Sequence, residues 1–282
     1  MQHSEGYLDF RHSEARGTSH LYRQSWRPEA SPRAALLLVH GLGEHSGRYA
    51  HVARACNDRG FVVHAVDHYG HGKSDGQPGF VERFSVYLDG VGALLNHARE
   101  TDPDLPVFLL GHSMGGLIAA AFLGASQADF RACVLSGPAF RIEPEPSALL
   151  RWLNRLLSVL APTAPMVGLD PGGVSRDPDV VKAYISDPLV HHGKLSARLI
   201  AEMMTAMRDT LDRAGSIELP LLVLHGEEDR LTAPQGSAEF CARVASVDKT
   251  LTTYPGLYHE IFNEPEKDAV LADMTGWLEA HL

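Results

Sequence analysis

The fold of this chain is decided by one stretch, Val107-Phe108-Leu109-Leu110-Gly111-His112-Ser113-Met114-Gly115-Gly116. Its first four residues are continuously apolar, which is typical of a strand buried on both faces of a parallel sheet. The residues from 115 to 123 are apolar and rich in alanine and predict a helix. A Gly-x-Ser-x-Gly sequence between a strand and a helix is the pattern of a nucleophile elbow. The pattern therefore indicates Ser113 as a catalytic nucleophile.

The elbow requires small residues because its turn is tight and its serine adopts a strained backbone conformation. Gly111 and Gly115 meet that requirement on either side of Ser113. The following helix would direct its N-terminal N–H groups towards developing negative charge. The alternative is a glycine-rich turn in which Ser113 only caps the helix.

Further apolar runs on both sides of this stretch alternate with helical patterns along most of the chain. Such an alternation predicts an α/β protein with a mostly parallel, doubly wound sheet, whose ligands bind beyond the carboxyl ends of the strands. The predicted buried strands are 35–39, 61–66, 107–110 and 132–136, further strands are predicted at 221–225 and 250–254, and two short edge strands at 6–10 and 19–26. The predicted helices are 49–60, 84–100, 147–160, 179–185, 196–207, 237–245 and 266–282.

The alternation lapses between residues 139 and 208, which predicts a helical cap inserted into the sheet domain. The sheet-containing core would then comprise residues 1–138 and 209–282, and the cap residues 139–208. The helix at 147–160 has a narrow polar stripe and a wide apolar face. That face either packs onto the core or lines an acyl-chain entrance that contacts lipid surfaces.

Composition excludes several classes of function. The chain has 282 residues and a formal net charge of −10, which argues against nucleic acid or an anionic membrane as the main partner and favours neutral substrates. Its three cysteines, Cys56, Cys133 and Cys241, are too few and too far apart for a disulfide framework or a zinc site. No phosphate-binding glycine motif indicates a nucleotide cofactor, so no cofactor is expected.

The amino terminus and the hydropathy pattern predict the compartment. Residues 1–16 are polar and charged, unlike a secretory signal, and no apolar run approaches the roughly 18 to 20 residues that span a bilayer. A cytoplasmic protein is expected, with membrane association only through transient contact of the cap.

A serine nucleophile needs a histidine base, itself oriented by a carboxylate. In an elbow protein the acid and then the histidine follow the serine along the chain, each on a loop after a strand. The chain has 16 histidines, of which only His225, His259 and His281 come late enough. His259 follows the last predicted strand and is therefore the expected base.

The acid is expected in the loop that follows the strand 221–225. Glu227, Glu228 and Asp229 are adjacent carboxylates on that loop, and chemistry alone leaves the choice among them open.

An oxyanion hole needs two backbone N–H donors, one from the residue after the nucleophile and one from an earlier loop. These positions are Met114 and, within His40-Gly41-Leu42-Gly43, Leu42. The alternative for the second segment is a plain turn before a helix.

Three histidines on one strand and loop, His64, His68 and His71, together with Asp67, are the other cluster with a chemical interpretation. A metal site is one interpretation. A glycine-rich loop in which Asp67 and His68 bond backbone groups explains the same residues and is preferred, so no metal is expected.

These segments together resemble the α/β-hydrolases, and more narrowly the monoacylglycerol lipases. Within that family the bacterial, mycobacterial-type enzymes are the most similar in Asp187-Pro-Leu-Val-His-His-Gly193 and Tyr254-Pro-Gly-Leu-Tyr-His-Glu-Ile-Phe-Asn-Glu-Pro265. The resemblance begins near residue 19, covers nearly the whole of the remaining chain, and rests on ordered, correctly spaced motifs. They are His40-Gly-Leu-Gly-Glu-His-Ser-Gly-Arg-Tyr49, Asp67-His-Tyr-Gly-His-Gly-Lys-Ser74, Gly111-His-Ser-Met-Gly-Gly116, Ser186-Asp-Pro-Leu189, His225-Gly-Glu-Glu-Asp-Arg230 and Tyr258-His-Glu260.

The resemblance implies an α/β-hydrolase fold with an eight-stranded sheet, an inserted cap and a hydrophobic tunnel. It selects Asp229 as the acid of a Ser113, Asp229, His259 triad, with Leu42 and Met114 as oxyanion donors. Glu44, Arg48 and Tyr184 are implied to hold a glycerol head group.

The chain departs from the mammalian family pattern at two positions. Phe262 stands where a second histidine follows the base, and Ile185 stands where an asparagine follows the cap tyrosine.

The function expected is hydrolysis of monoacylglycerols, with a small lipid ester as the partner. The alternatives are a lysophospholipase, a broad carboxylesterase, a thioesterase, or a non-catalytic receptor on the same fold.

Overall fold

A computed structural model describes residues 1–12 and 17–282, and its centre is an eight-stranded sheet in the order β1-β2-β4-β3-β5-β6-β9-β10. The first three strands in that order pair antiparallel, and the others pair parallel. In the described residues the strands are β1 (Gln2–Phe10), β2 (Ser19–Arg27), β3 (Ala34–Val39), β4 (Phe61–Val66), β5 (Val107–His112), β6 (Ala132–Ser136), β7 (Pro165–Val167), β8 (Leu195–Ser196), β9 (Leu221–Gly226) and β10 (Lys249–Tyr254). The predicted α/β-hydrolase architecture, with a mostly parallel sheet, is confirmed.

The helices lie in the connections that the sequence predicts. In the described residues the α-helices are α1 (Ala50–Asn57), α2 (Ser85–Thr101), α3 (Met114–Ser126), α4 (Ala148–Leu160), α5 (Pro178–Ser186), α6 (Ala197–Arg213), α7 (Pro234–Arg243) and α8 (Lys267–Ala280). The inner strands β3, β4, β5, β6 and β9 are buried on both faces, since α1 and α8 pack on one side and α2, α3, α6 and α7 on the other. The edge strands β1 and β10 are largely exposed.

The amino-terminal strands differ from the prediction in two respects, the first of which is that β1 begins at Gln2 rather than at residue 6. β1 is an edge strand, but β2 lies inside the sheet, between β1 and β4. β1 covers β2 because the two pair over their full length, from Gln2 opposite Arg27 to Phe10 opposite Ser19. The polar stretch 1–16 thus supplies strand β1, while its last four residues lie outside the described ones.

Between β6 and β9 lie α4, α5, α6 and the short antiparallel pair β7 and β8. The predicted cap boundary at residue 208 falls within α6, which packs on α3 and α7 of the core as well as on α4. Of the helices in the described residues, none combines the length and apolarity that a bilayer crossing requires.

Helix α4 is oriented with its polar side inward. Asn154 and Ser158 are buried, whereas Trp152 is 60% and Leu160 is 72% exposed. The hydroxyl of Ser158 donates to the Arg155 carbonyl at 2.8 Å, so burying it leaves no unmet donor, and its small side chain permits close packing on α6. Of the two interpretations of its apolar face, packing onto the core is therefore wrong.

The segment before α5 is joined to the loop after β10 by backbone and side-chain bonds. The Glu260 N–H donates to the Val174 carbonyl at 2.8 Å. The Arg176 backbone N–H and Nε donate to the buried Glu264 carboxylate at 2.9 and 2.7 Å. The entry to this inserted region is thus fixed against the loop that carries His259.

Candidate active site

The sharp turn after β5 places Ser113 in a conformation that side chains rarely adopt. Its φ of 55° makes it the positive-φ non-glycine residue among those described. Such a conformation costs about 1–3 kcal/mol and persists only where surrounding bonds enforce it. The Ser113 N–H donates to the Ser136 carbonyl at 2.9 Å, and the Ser113 carbonyl accepts from the Ala139 N–H at 3.0 Å. Strand β6 and the residues after it therefore hold the turn in place.

The glycines of the motif are required by close backbone approach. A Cβ atom at Gly111 would lie 2.4 Å from the Gly115 carbonyl oxygen. One at Gly115 would lie 2.0 Å from the Val39 carbonyl oxygen at the end of β3. Neither position tolerates a side chain without moving backbone.

The loops after β9 and β10 bring a carboxylate and an imidazole together. The His259 Nδ1 lies 2.7 Å from Asp229 Oδ2, so the imidazole donates to the carboxylate. The other carboxylate oxygen accepts the N–H groups of Leu231 and Thr232 at 2.8 and 2.9 Å. The Thr232 hydroxyl donates to Oδ2 at 2.9 Å. These bonds fix the carboxylate plane and, through it, the imidazole.

The electrostatics of this pair favour charge separation. Burial alone would raise the pKa of the Asp229 carboxyl, but the charge of His259 and hydrogen bonds from His225 and His259 hold that pKa well below its usual range. Burial would lower the pKa of His259, but the negative charge and hydrogen bond of Asp229 raise it. The site is therefore prepared to stabilise an imidazolium.

Ser113 and His259 both line one cavity of about 180 Å³. No hydrogen bond joins their side chains, both of which the structure describes. Catalytic hydrogen bonds are often long in free enzymes and shorten when substrate binds.

The predicted oxyanion donors line the same cavity. Met114 is the first residue of α3, directly after Ser113. On the opposite side, His40 Nδ1 donates to the Gly41 carbonyl at 2.8 Å, and the Gly41 N–H donates to Glu44 Oε1 at 2.7 Å. These two bonds fix the peptides that precede Leu42.

The cavity has an apolar end and a polar end. Helix α6 contributes Ile200, Met203, Met204 and Met207 to the apolar end. At the polar end, the lining includes Glu44, Tyr184, His112 and Glu260. Burial, and then the charge of His259, lower the pKa of His112 to about 3, so this imidazole is neutral.

A buried ion cluster lies behind the polar end. Arg48 forms two parallel hydrogen bonds to the Glu260 carboxylate, at 2.6 and 2.8 Å, and a third to Glu44 at 2.7 Å. Its guanidinium also stacks 4.8 Å from the ring centroid of Tyr184 on α5. Arg48 is not among the described residues that line the cavity, whereas the other two predicted head-group residues, Glu44 and Tyr184, are.

The remaining candidates from the sequence lie elsewhere. His225 contacts Asp229 rather than Ser113, with Nε2 3.1 Å from the carboxylate. His281 lies at the end of α8 and pairs with Asp248. Glu227 accepts from the Thr253 hydroxyl, and Glu228 is exposed.

The loop after β4 is held by its own polar groups. The Asp67 carboxylate accepts the N–H groups of Ser46 and Lys73, at 2.8 and 2.9 Å. The His68 ring and backbone N–H bond to His40, while His64 bonds to Ser25 on β2.

The two departures from the mammalian pattern lie outside the cavity. Phe262 is buried in the core beside α1 and α8, and Ile185 is 53% exposed on α5.

Sequence reasoning missed two residues of this site, Glu260 and Thr232. The first was visible as a carboxylate adjacent to the predicted base. The second carries no sequence signal, because its role depends on how the loop after β9 folds back on Asp229.

The comparisons with known proteins identify the family of the chain. The Hydrolase_4 family model, described as Serine aminopeptidase, S33, matches residues 30–266. A monoacylglycerol lipase of Mycolicibacterium smegmatis is 44% identical over 91% of this chain and 92% of its own length. Phospholipase YtpA of Bacillus subtilis is 32% identical over 87% of this chain and 95% of its own. The crystal structure of Paleococcus ferrophilus monoacylglycerol lipase superposes with a TM-score of 0.85 at 33% identity, covering 93% of this chain and 99% of that one.

Proposed function

The chain belongs to the α/β-hydrolase family described as Serine aminopeptidase, S33, and from this premise we propose that it is a serine ester hydrolase that cleaves monoacylglycerols to glycerol and a fatty acid. One observation carries the proposal. A serine held at φ 55° at the start of a helix shares a cavity with an imidazole that is itself bonded to a buried carboxylate.

In the proposed reaction the Ser113 oxygen attacks the ester carbonyl, and His259 accepts the hydroxyl proton. Asp229 keeps the proton on Nδ1, so that Nε2 faces the serine as an acceptor. The imidazolium then gives its proton to the departing glycerol oxygen, leaving an acyl group on Ser113. Water, deprotonated by His259, attacks that acyl-enzyme, and the imidazolium returns the proton to the Ser113 oxygen as the fatty acid leaves.

The negative charge on the carbonyl oxygen would be stabilised by the N–H groups of Leu42 and Met114. The N-terminus of α3 adds its dipole in the same direction. Loss of one such donor costs about 3–4 kcal/mol of transition-state stabilisation in other hydrolases.

The two ends of the cavity suit the two parts of a monoacylglycerol. The acyl chain would lie along the methionines of α6, whose flexible side chains adapt to irregular apolar shapes. The glycerol hydroxyls would meet Glu44 and Tyr184, while Arg48 acts from behind by holding Glu44 in place.

A lysophospholipase is the second candidate, and the similarity to Phospholipase YtpA favours it. The charge of the polar end opposes it. Two carboxylates, Glu44 and Glu260, face one guanidinium there, which leaves a net negative charge beside the position of the head group. A neutral glycerol is compatible with that charge, whereas an anionic phosphodiester is repelled.

Contact with lipid surfaces is part of the proposal. The exposed side of α4 carries several large apolar residues, namely Leu149, Leu150, Trp152, Leu156, Val159 and Leu160. Such a surface is typical of helices that lie at a membrane interface. A cytoplasmic protein that takes its substrate from a lipid surface is consistent with these features.

The test combines a substrate panel with the nucleophile variant. Initial rates are measured on monoacylglycerols, lysophosphatidylcholine and p-nitrophenyl esters for the wild type and for Ser113→Ala. We expect monoacylglycerols to be preferred, a fluorophosphonate to label the wild type at Ser113, and Ser113→Ala to lose several orders of magnitude in turnover. Near-normal hydrolysis by the variant would refute the mechanism, and preference for the lysophospholipid would favour the second candidate.

A further inference from the structure

The carboxylate next to the base is bound into the ion cluster rather than directed to solvent. Glu260 is buried, and Arg48 holds both of its oxygens. The Asn263 amide donates to Oε2 at 2.8 Å. The Glu260 backbone N–H is held separately, by the Val174 carbonyl. The position of this residue is thus fixed from several directions.

Arg48 joins this carboxylate to the oxyanion loop, residues 40–43, which carries the predicted donor Leu42. The same Nη1 atom that bonds Glu260 also bonds Glu44 at 2.7 Å. Glu44 in turn accepts the Gly41 N–H at 2.7 Å, one residue before the predicted donor Leu42. An unbroken series of charged hydrogen bonds therefore runs from the residue beside the imidazole to the backbone of the oxyanion loop.

From this connection we infer that Glu260 is a positioning residue. It holds the base loop, which follows β10 and carries His259, in register with the oxyanion loop, and it keeps negative charge beside His259. The inference rests on the proposed serine hydrolase function and adds a residue that the triad does not include. Charged hydrogen bonds are stronger than neutral ones, and a bidentate carboxylate–guanidinium pair also fixes orientation.

The charge of Glu260 acts on the imidazole with that of its neighbours. The groups that face His259 are Asp229 with His225 behind it, Glu260, the pair Glu44 and Arg48, and His112, whose ring centroid lies 4.8 Å away. Burial lowers the pKa of His259, and the carboxylates of Asp229, Glu260 and Glu44 raise it. Removing one carboxylate should therefore lower that pKa.

Glu260→Gln tests the inference because it keeps the shape of the side chain and removes its charge. We expect the acid limb of the kcat/KM pH profile to move down by about 0.5 pH unit, since the base stays neutral at lower pH. We also expect the plateau of kcat to fall about tenfold with little change in KM, because the register of the two loops acts on the transition state.

Glu264→Gln is the matched control. Glu264 lies on the same loop, is fully buried and is also paired with an arginine, but that arginine is Arg176, away from the oxyanion loop. We expect its acid limb to stay at the wild-type position. An equal displacement in both variants, or none in Glu260→Gln, would overturn the inference.

Glu260→Asp separates charge from geometry and serves if Glu260→Gln folds poorly. It keeps the charge but shortens the side chain, so we expect an unchanged acid limb and a lowered plateau. A fully wild-type plateau would contradict the positioning role. An inactive wild type that a fluorophosphonate does not label would instead refute the proposed function, and the inference with it.

Discussion

Replacing Asp229 by asparagine tests how the acid acts on the base. In the wild type, Oδ1 accepts the Leu231 and Thr232 N–H groups, and Oδ2 faces His259 Nδ1 at 2.7 Å. Because two backbone N–H groups donate to the Oδ1 position, the atom at that position must be an oxygen. The side-chain amide of the Asp229→Asn variant would therefore turn its NH₂ towards His259.

That orientation reverses the tautomer of the imidazole. An NH₂ facing Nδ1 makes Nδ1 an acceptor, so the proton moves to Nε2, which can then no longer take the proton of Ser113. The same change in a serine protease triad lowers kcat about 10⁴-fold, equivalent to about 5 kcal/mol. We expect a loss of that size here, because the carboxylate is likewise buried and its orientation likewise fixed.

The assay is kcat on a soluble p-nitrophenyl ester, with the rate of fluorophosphonate labelling as a second readout. Glu228→Gln, on an exposed neighbouring carboxylate, is the control and should match the wild type. If Asp229→Asn folds normally and keeps activity within tenfold of the wild type, the argument from amide orientation is incorrect.

Three further outcomes follow from the packing and burial described above. Gly115→Ala should lower the free energy of unfolding by about 3 kcal/mol or more in urea titrations, because its Cβ would lie 2.0 Å from the Val39 carbonyl oxygen. Gly124→Ala on the same helix is the control: its Cβ meets no atom within 4 Å, so this variant should not be destabilised. Trp152→Ser should weaken partitioning into neutral phospholipid vesicles about tenfold in flotation assays and leave hydrolysis of a soluble ester unchanged; equal partitioning would rule out contact through α4. The free energy of unfolding should fall as pH decreases from 7 to 5, because burial keeps His112 neutral in the folded state while the unfolded chain takes up a proton below about pH 6.5. His112 contributes about 2 kcal/mol to the decrease, and His112→Asn should reduce the slope.

The core of the fold was predictable because its signals are local. The apolar strands and the glycine motif around Ser113 leave few alternatives, since a Cβ at Gly111 or Gly115 would collide with backbone. Chain order then selected His259 among 16 histidines. Each of these inferences depends on the local backbone conformation of a residue or on the strand that precedes it in the sequence.

Features that depend on long-range packing were less predictable. The sequence left open whether the wide apolar face of α4 is buried or faces a lipid surface, and in the structure the buried residues of this helix are Asn154 and Ser158. The choice of Asp229 over its neighbours depends on N–H groups further along the same loop. The pairing of Arg48 with Glu260 joins residues more than two hundred positions apart, which no spacing rule anticipates.

The bonds between residues 174–176 and the loop after His259 have a consequence for evolution and engineering. Because the base loop contributes the Glu260 N–H and the Glu264 carboxylate to the entrance of the inserted region, the two segments form one unit. A chimaera that imports residues 139–208 from a relative must import the loop 258–264 as well, or it will leave a buried carboxylate without its arginine. Grafting cap segments to change chain-length preference should therefore succeed within α4, and weaken the join between the cap and the loop after β10 when the junction lies near Val174.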